Sequence, residues 1–155
     1  MKKNTVEQPV IRVIDANFNR AREGLRVGEE YVRFFAGDAS ITAQIKKMRS
    51  AISALQRRFT ATQGSLIDAR DVRSDVGRKG FSTEKMRSSS LDIFLANMNR
   101  SKEALRVLEE FSKLLSDLSL SDRCRRLRYQ LYALEQSSLK LLTGKNRGNL
   151  RRNPL

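Results

Sequence analysis

The chain has 155 residues, of which 39% are apolar and 31% charged, a balance that indicates one globular domain rather than a membrane or disordered protein. It contains no histidine and one cysteine, Cys124, which excludes histidine-based hydrolases, zinc sites and a disulfide within the chain. The net charge of +14 indicates an anionic partner, and charge alone leaves nucleic acid, a phosphorylated metabolite and an acidic membrane surface open.

Four helices are predicted, because apolar residues recur every three or four positions without an internal proline. In chain order they cover residues of about 9–36, 39–60, 89–116 and 119–143. Gly37 is typical of a helix C-cap, and Asp38 or Ser40 of the N-cap that follows it. Gly144 is predicted to end the fourth helix, so that residues 145–155 form a basic flexible tail. Cys124 is expected to be half-buried in that helix.

An internal repeat organises the chain. Residues 16–35 and 96–115 align without gaps, and ten of the twenty positions are identical. The similarity continues, shifted by one residue, between residues 46–56 and 125–135. The repeated unit is a helical hairpin, and two hairpins predict an all-α, pseudo-symmetric bundle. One domain over 1–144 would then contain repeat 1 (about 10–60), a connecting loop (about 61–88) and repeat 2 (about 89–143).

Helical phase separates an apolar face of the first repeat helix from a polar face. The apolar face consists of Phe18, Ala21, Leu25, Gly28, Val32 and Phe35, and the polar face of Asn19, Arg22, Arg26, Glu29 and Arg33. Asn17 falls inside the apolar sector and Arg20 at its edge, so we expect both to be partly buried, with Glu23 beside them. The aligned residues of the second repeat are Asn97, Arg100 and Glu103.

A partly buried arginine needs a partner. Arg20 and Arg100 could bond helix carboxylates, Glu23 and Glu103 included, and so fix the register of the bundle. Alternatively, the two polar triplets face one another across a cleft that accepts a phosphate. The sequence favours neither strongly enough to discard the other.

Other recurring side chains have more than one interpretation. Arg26 and Arg106 are expected on the outer surface, paired with glutamates four residues later. Arg49 and Arg128 recur in the second helix of each hairpin and fit either surface or cleft. Tyr129 favours hairpin packing, although its ring could stack on a base or pyrimidine.

The connection at residues 66–80 is too long for a tight turn. Arg70 and backbone N–H groups could bind phosphate there, while Asp71 and Asp75 hold a metal. A solvated loop without a ligand is the alternative. Neither GxxxxGK[ST] nor GxGxxG occurs anywhere in the chain, which leaves out the familiar nucleotide-binding loops.

The two Asn-x-x-Arg helices and the Ala-Arg-Asp loop, in this order, resemble the hydroxymethylpyrimidine-phosphate kinase family of thiamin biosynthesis over about residues 10–140. That family occurs alone or fused ahead of thiamin-phosphate synthase, and the length of this chain implies the stand-alone form. The resemblance implies transfer of a phosphoryl group from ATP to hydroxymethylpyrimidine phosphate. Because that acceptor is already anionic, the reaction needs no strong general base, which suits a chain without histidine.

With this activity, Arg20 and Arg100 are predicted to clamp phosphates, and Asn17 and Asn97 to orient substrate as hydrogen-bond donors, as the catalytic residues. Substrate and nucleotide contacts are assigned to Glu23, Glu103, Arg49, Arg70, Arg128 and Tyr129, and a magnesium ion to Asp71 and Asp75. The expected ligands are Mg²⁺, ATP and the phosphorylated pyrimidine.

We expect a cytoplasmic protein without a membrane partner, since no apolar run approaches about 18 residues and the first ten residues lack an apolar signal segment. Nucleic acid is not expected, and a homodimer is left open. Two other functions remain as alternatives: a non-catalytic interaction or regulatory domain of thiamin-phosphate synthesis, and a basic nucleic-acid-binding helical module.

Overall fold

The computed structural model describes residues 8–70, 87–115 and 118–150. Helices account for most of these residues, and no strand occurs among them, which confirms the all-α class. The four helices are α1 (Gln8–Tyr31), α2 (Ala39–Gln63), α3 (Ser90–Phe111) and α4 (Ser119–Leu150). A π-helical turn (Val32–Ala36) extends α1, and short 3₁₀ turns follow α2 (Ile67–Ala69) and α3 (Ser112–Leu114).

Local chemistry accounts for three of the helix boundaries. Gly37 ends the π-helical turn in the left-handed conformation (φ 61°), as its sequence position predicted. The carboxylate of Asp38 then accepts a hydrogen bond of 3.0 Å from the Ile41 N–H and caps α2. The hydroxyl of Ser89 caps α3 in the same way, by accepting from the Asp92 N–H at 3.1 Å.

Two predictions about helix ends and faces are wrong. Gly144 does not terminate the fourth helix, which continues to Leu150; among the described residues only Gly37 and Gly64 have positive φ. Phe35 does not belong to the apolar face, since 73% of it is exposed. The π-helical turn inserts extra backbone per turn and rotates Phe35 out of the phase that α1 keeps up to Tyr31.

The helices form two antiparallel hairpins, α1 with α2 and α3 with α4, joined by an extensive antiparallel contact between α1 and α3. Fully buried side chains from all four helices make one core. The largest of them include Phe18, Phe94, Ile14, Leu25, Ile45, Met98, Leu105 and Leu131. Cys124 belongs to the same core with no exposed area, so it is more buried than predicted.

The contact between α1 and α3 depends on small residues. A Cβ atom built on Gly24 would lie 2.3 Å from the Ser101 Oγ and 2.6 Å from the carbonyl oxygen of Asn97. The Ser101 hydroxyl donates across the interface to the carbonyl oxygen of Ala21 at 3.0 Å. The two helices therefore approach one another more closely here than any larger side chain would allow.

The second helices of the two hairpins cover one side of the α1–α3 pair. In α1, Arg22 and Glu29 reach α2; in α3, the aligned residues Lys102 and Glu109 reach α4. α2 and α4 also contact each other, so they lie on the same side. The opposite side of the α1–α3 pair, which we call the open face, is not covered by any described helix.

Candidate functional site at the open face

A buried glutamate in the first hairpin binds two arginines. Glu29 is only 4% exposed, and its carboxylate accepts from Arg49 Nε at 3.0 Å and from Arg26 at 3.3 Å. Arg26 also pairs with Glu30 at 2.5 Å, as predicted for the outer surface. Glu29 itself was predicted on the polar, solvent-facing side, and that prediction is wrong, because Arg49 of α2 covers it.

The second hairpin repeats this arrangement. Glu109 is 5% exposed and accepts from both Nε (3.1 Å) and a terminal nitrogen (2.7 Å) of Arg128. Arg106 bonds the same carboxylate at 2.9 Å and pairs with Glu110 at 2.7 Å. The hydrogen bond to Glu109 is the main cause that raises the pKa of Arg128. Arg49 and Arg128 are thus bound to carboxylates, and a phosphate would have to compete for them.

A third ion pair fixes the start of the connecting segment. Asp15 in α1 is 3% exposed and binds Arg70 through two guanidinium nitrogens, one of them at 2.9 Å. This hydrogen bond raises the pKa of Arg70. Asp15 has no counterpart in the second repeat, where Leu95 stands, and sequence patterns gave no reason to select it.

Arg20 and Arg100 differ from these paired arginines. Both are exposed, so the predicted partial burial of Arg20 is wrong. Neither forms an ion pair with any described residue, and the same is true of the nearby Glu23 and Glu103. Among the described residues, they are therefore not register pins bonded to carboxylates. The reason for their exposure is that α2 and α4 pack on the other side of α1 and α3.

Helical phase places both arginines on the open face. Arg20 lies two residues before Arg22, a rotation that directs it almost opposite to α2, while Gly24, one turn later, touches α3. The same relation holds for Arg100 and Lys102, which reaches α4. Arg20 and Arg100 therefore flank the α1–α3 contact from the uncovered side. Because the helices are antiparallel there, the two residues are offset by only about 6 Å along it.

The asparagines lie closer to the interface than the arginines. Asn17 is 4% exposed, as predicted, and Asn97 is half-buried. The side-chain amide of each donates to a carbonyl oxygen one turn earlier in its own helix, Val13 for Asn17 and Ile93 for Asn97, both at 2.8 Å. Their amide oxygens accept no described hydrogen bond, so each can still accept one from a ligand.

Tyr129 belongs to a different surface. It is 62% exposed rather than packed in a hairpin, and its ring meets the ring of Tyr132 edge-on at 6.0 Å. The Arg128 guanidinium lies 5.0 Å from the Tyr129 ring centre, and the ammonium of Lys102 lies 5.3 Å from that of Tyr132. These cations and rings hold each other in place between α3 and α4, away from Arg20.

The predicted metal ligands Asp71 and Asp75 lie outside the described residues. Within the described part of the chain, no group of three or more Asp, Glu or Cys side chains could hold a metal ion. Helical phase places Asn17, Arg20, Glu23, Asn97, Arg100 and Glu103 at the open face or its edge, and their joint role as one site stays a prediction. Arg49, Arg70, Arg128 and Tyr129 lie in separate contacts.

The family model named ThiD2 matches residues 12–137, and this span includes both hairpins. The chain belongs to the ThiD2 family. The match covers every described residue of the open face and the three buried ion pairs, so this arrangement falls within the family's own boundaries.

Longer proteins contain sequences related to this ThiD2 chain. This chain is 38% identical over 137 residues to the thiamine-phosphate synthase of Nostoc punctiforme. The aligned region covers 88% of this chain and 37% of that protein. The corresponding values are 40%, 84% and 36% for the Synechocystis sp. protein of the same name, and 39%, 84% and 34% for that of Rhodopirellula baltica. The chain thus spans little more than a third of the length of these relatives, each of which is named thiamine-phosphate synthase.

No solved structure gives a significant match to the chain. Among the described helices, none is both long and apolar enough to cross a bilayer.

Proposed function

We propose that this chain is a phosphotransferase that converts hydroxymethylpyrimidine phosphate to its diphosphate with ATP. The observation that carries the proposal is that Arg20 and Arg100, neither of which forms an ion pair with a described residue, lie on the same open face. Six other arginines of the described bundle are engaged by carboxylates: Arg26, Arg49, Arg70, Arg106, Arg125 and Arg128. Arg58, Arg123 and Arg126 also lack an ion pair with a described residue, but they belong to α2 and α4 and not to the open face. Two guanidinium groups on one face, without a carboxylate partner among the described residues, are suited to hold one or two phosphates.

The main requirement of this phosphoryl transfer is that the negative charge of the phosphates be neutralised. A phosphate oxygen of the acceptor attacks the γ-phosphorus of ATP, the bond from that phosphorus to the bridging oxygen breaks, and ADP leaves with its electron pair. The acceptor phosphate, the γ-phosphoryl group and the departing ADP are all anionic and must come close together. Arg20 and Arg100 would offset their mutual repulsion while the phosphoryl group is transferred. Asn17 and Asn97 would accept hydrogen bonds from the pyrimidine amine. A Mg²⁺ ion accompanying ATP would neutralise its phosphates.

The test is ATP consumption by the purified chain with and without the pyrimidine monophosphate. Replacement of Arg20 or Arg100 by alanine should lower kcat/KM by about 10² or more, because each loses contacts made to developing charge. Lysine keeps the charge without the planar fork, so Arg20→Lys should recover only part of the rate. Arg57→Ala removes a charge that is also exposed, but on α2, and should leave the rate unchanged.

Stability is measured on the same samples. Since neither arginine is paired with a described residue, the alanine variants should unfold within about 1 kcal/mol of the parent chain. Full turnover by Arg100→Ala would remove that residue from the site. A chain that binds the pyrimidine monophosphate without consuming ATP would contradict the kinase.

That last outcome would favour a second candidate, a non-catalytic domain that serves thiamin-phosphate synthesis. The relatives support it to the extent that each is named thiamine-phosphate synthase and carries this region as about a third of its length. In that case the arginines of the open face would bind a phosphorylated ligand and present it to another protein. ATP dependence separates the two candidates.

A further inference from the structure

A groove runs between α2 and α4 on the side of the bundle opposite the open face. It consists of two cavities of about 440 and 540 Å³ that share Ala51 and Gln130. Its floor is mostly aliphatic, with Met48, Leu55 and Leu134 all nearly buried. The volume arises because small side chains, Ala51 among them, stand where the two helices face one another.

The rim of this groove is basic. Lys47 and Arg58 of α2 and Arg123 and Arg126 of α4 line it, and no carboxylate does. None of these four cations forms an ion pair with a described residue. Three of them, the arginines, lie at the larger cavity, so the positive charge is concentrated toward one end.

We propose that this groove, lined by α2 and α4, docks an acidic amphipathic helix of a partner protein. An aliphatic floor fits a row of apolar side chains spaced three and four residues apart, and a rim of unpaired cations fits carboxylates that flank such a row. The lining of α2 extends from Gln44 to Arg58, which is about 21 Å of helix. A partner helix of about 14 residues has the matching length.

The composition of the groove disfavours other occupants. A second copy of this chain carries a net charge of +14 and would bring cations against cations. Single-stranded nucleic acid is usually held by stacking of bases on aromatic rings, and no aromatic side chain lines either cavity. A bilayer surface would need apolar side chains that project outward, whereas here they form the floor between two helices.

The test uses a fluorescein-labelled helical peptide of about 18 residues, with leucines at spacings of three and four and glutamates between them, and measures its anisotropy against the full chain. We expect saturable binding with a Kd of about 10 µM that weakens with added salt. The double variant Arg123→Glu/Arg126→Glu should weaken binding by about tenfold or more, and Ala51→Glu should do so by placing a carboxylate in the floor.

A matched control distinguishes the effect of the charges in the groove from the effect of the net charge of the chain. Lys46→Glu/Arg57→Glu changes the net charge by the same amount at exposed α2 positions that do not line the cavities, and it should alter Kd by less than about twofold. Thermal unfolding of each variant verifies its fold. The proposal is overturned if a peptide of the same composition with scrambled leucines binds equally well. It is also overturned if the control double variant loses binding equally, or if only single-stranded DNA or phosphatidylserine vesicles bind.

Discussion

Replacement of Gly24 by alanine tests the close approach of α1 and α3. A Cβ there would lie 2.6 Å from the Asn97 carbonyl oxygen, about 0.8 Å short of the 3.4 Å at which ordinary contact begins. A backbone oxygen cannot rotate away, so the helices must separate. Overpacking of this kind costs about 3 kcal/mol at its upper range, and the better helix propensity of alanine returns about 1 kcal/mol. The expected net loss is about 2 kcal/mol.

The assay is thermal unfolding followed by circular dichroism. For a chain of this size, a loss of 2 kcal/mol corresponds to a melting temperature lower by about 4–8 °C. Gly144→Ala is the matched control, since nothing lies within 4 Å of its Cβ position, and it should leave the melting temperature unchanged or slightly raised. If Gly24→Ala melts at or above the parent temperature, the helices are farther apart than described.

Three further predictions concern buried groups. Burial raises the pKa of Cys124 from 9.0 to about 12, so the thiol stays protonated in the folded chain while the unfolded chain ionises, and stability should fall as pH rises above 9. Cys124→Ala should remove that part of the pH dependence, and native Cys124 should resist alkylation. Glu109→Gln should cost about 3 kcal/mol in urea unfolding because it leaves Arg128 without its carboxylate. Asp15→Asn should speed tryptic cleavage after Arg70, whose side chain is then free; an unchanged rate would contradict the pairing.

Apolar periodicity predicted most of the core of α1 because it depends only on regular helix geometry. Phe18, Leu25 and Val32 are fully buried, as their spacing required. The same reasoning failed at Phe35, since a π-helical turn changes the rotation per residue and leaves no mark in the spacing of the residues before it.

The polar residues were harder to place, because their burial depends on what another helix brings. The sequence of α1 alone places Glu29 on the solvent-facing side, and only the contact with Arg49 of α2 buries it. A signal was nevertheless present: both repeats carry this glutamate together with an arginine in the following helix. Arg20 failed in the opposite sense. Helical phase places Arg20 beside the α1–α3 contact. Its exposure, however, depends on which side of that contact α2 and α4 cover, and the sequence of α1 does not contain this information.

The close α1–α3 contact also bears on how the two halves of the chain recognise each other. In the alignment of the repeats, Gly24 corresponds to Ala104, and Ser101 to Ala21. If the second hairpins of two molecules paired through this surface, a methyl group would stand where Gly24 has none, against the Ser101 hydroxyl. Two first hairpins would lose the bond from that hydroxyl. After duplication, the halves have thus diverged so that each prefers the other to a copy of itself, which opposes pairing of like hairpins from two molecules during folding.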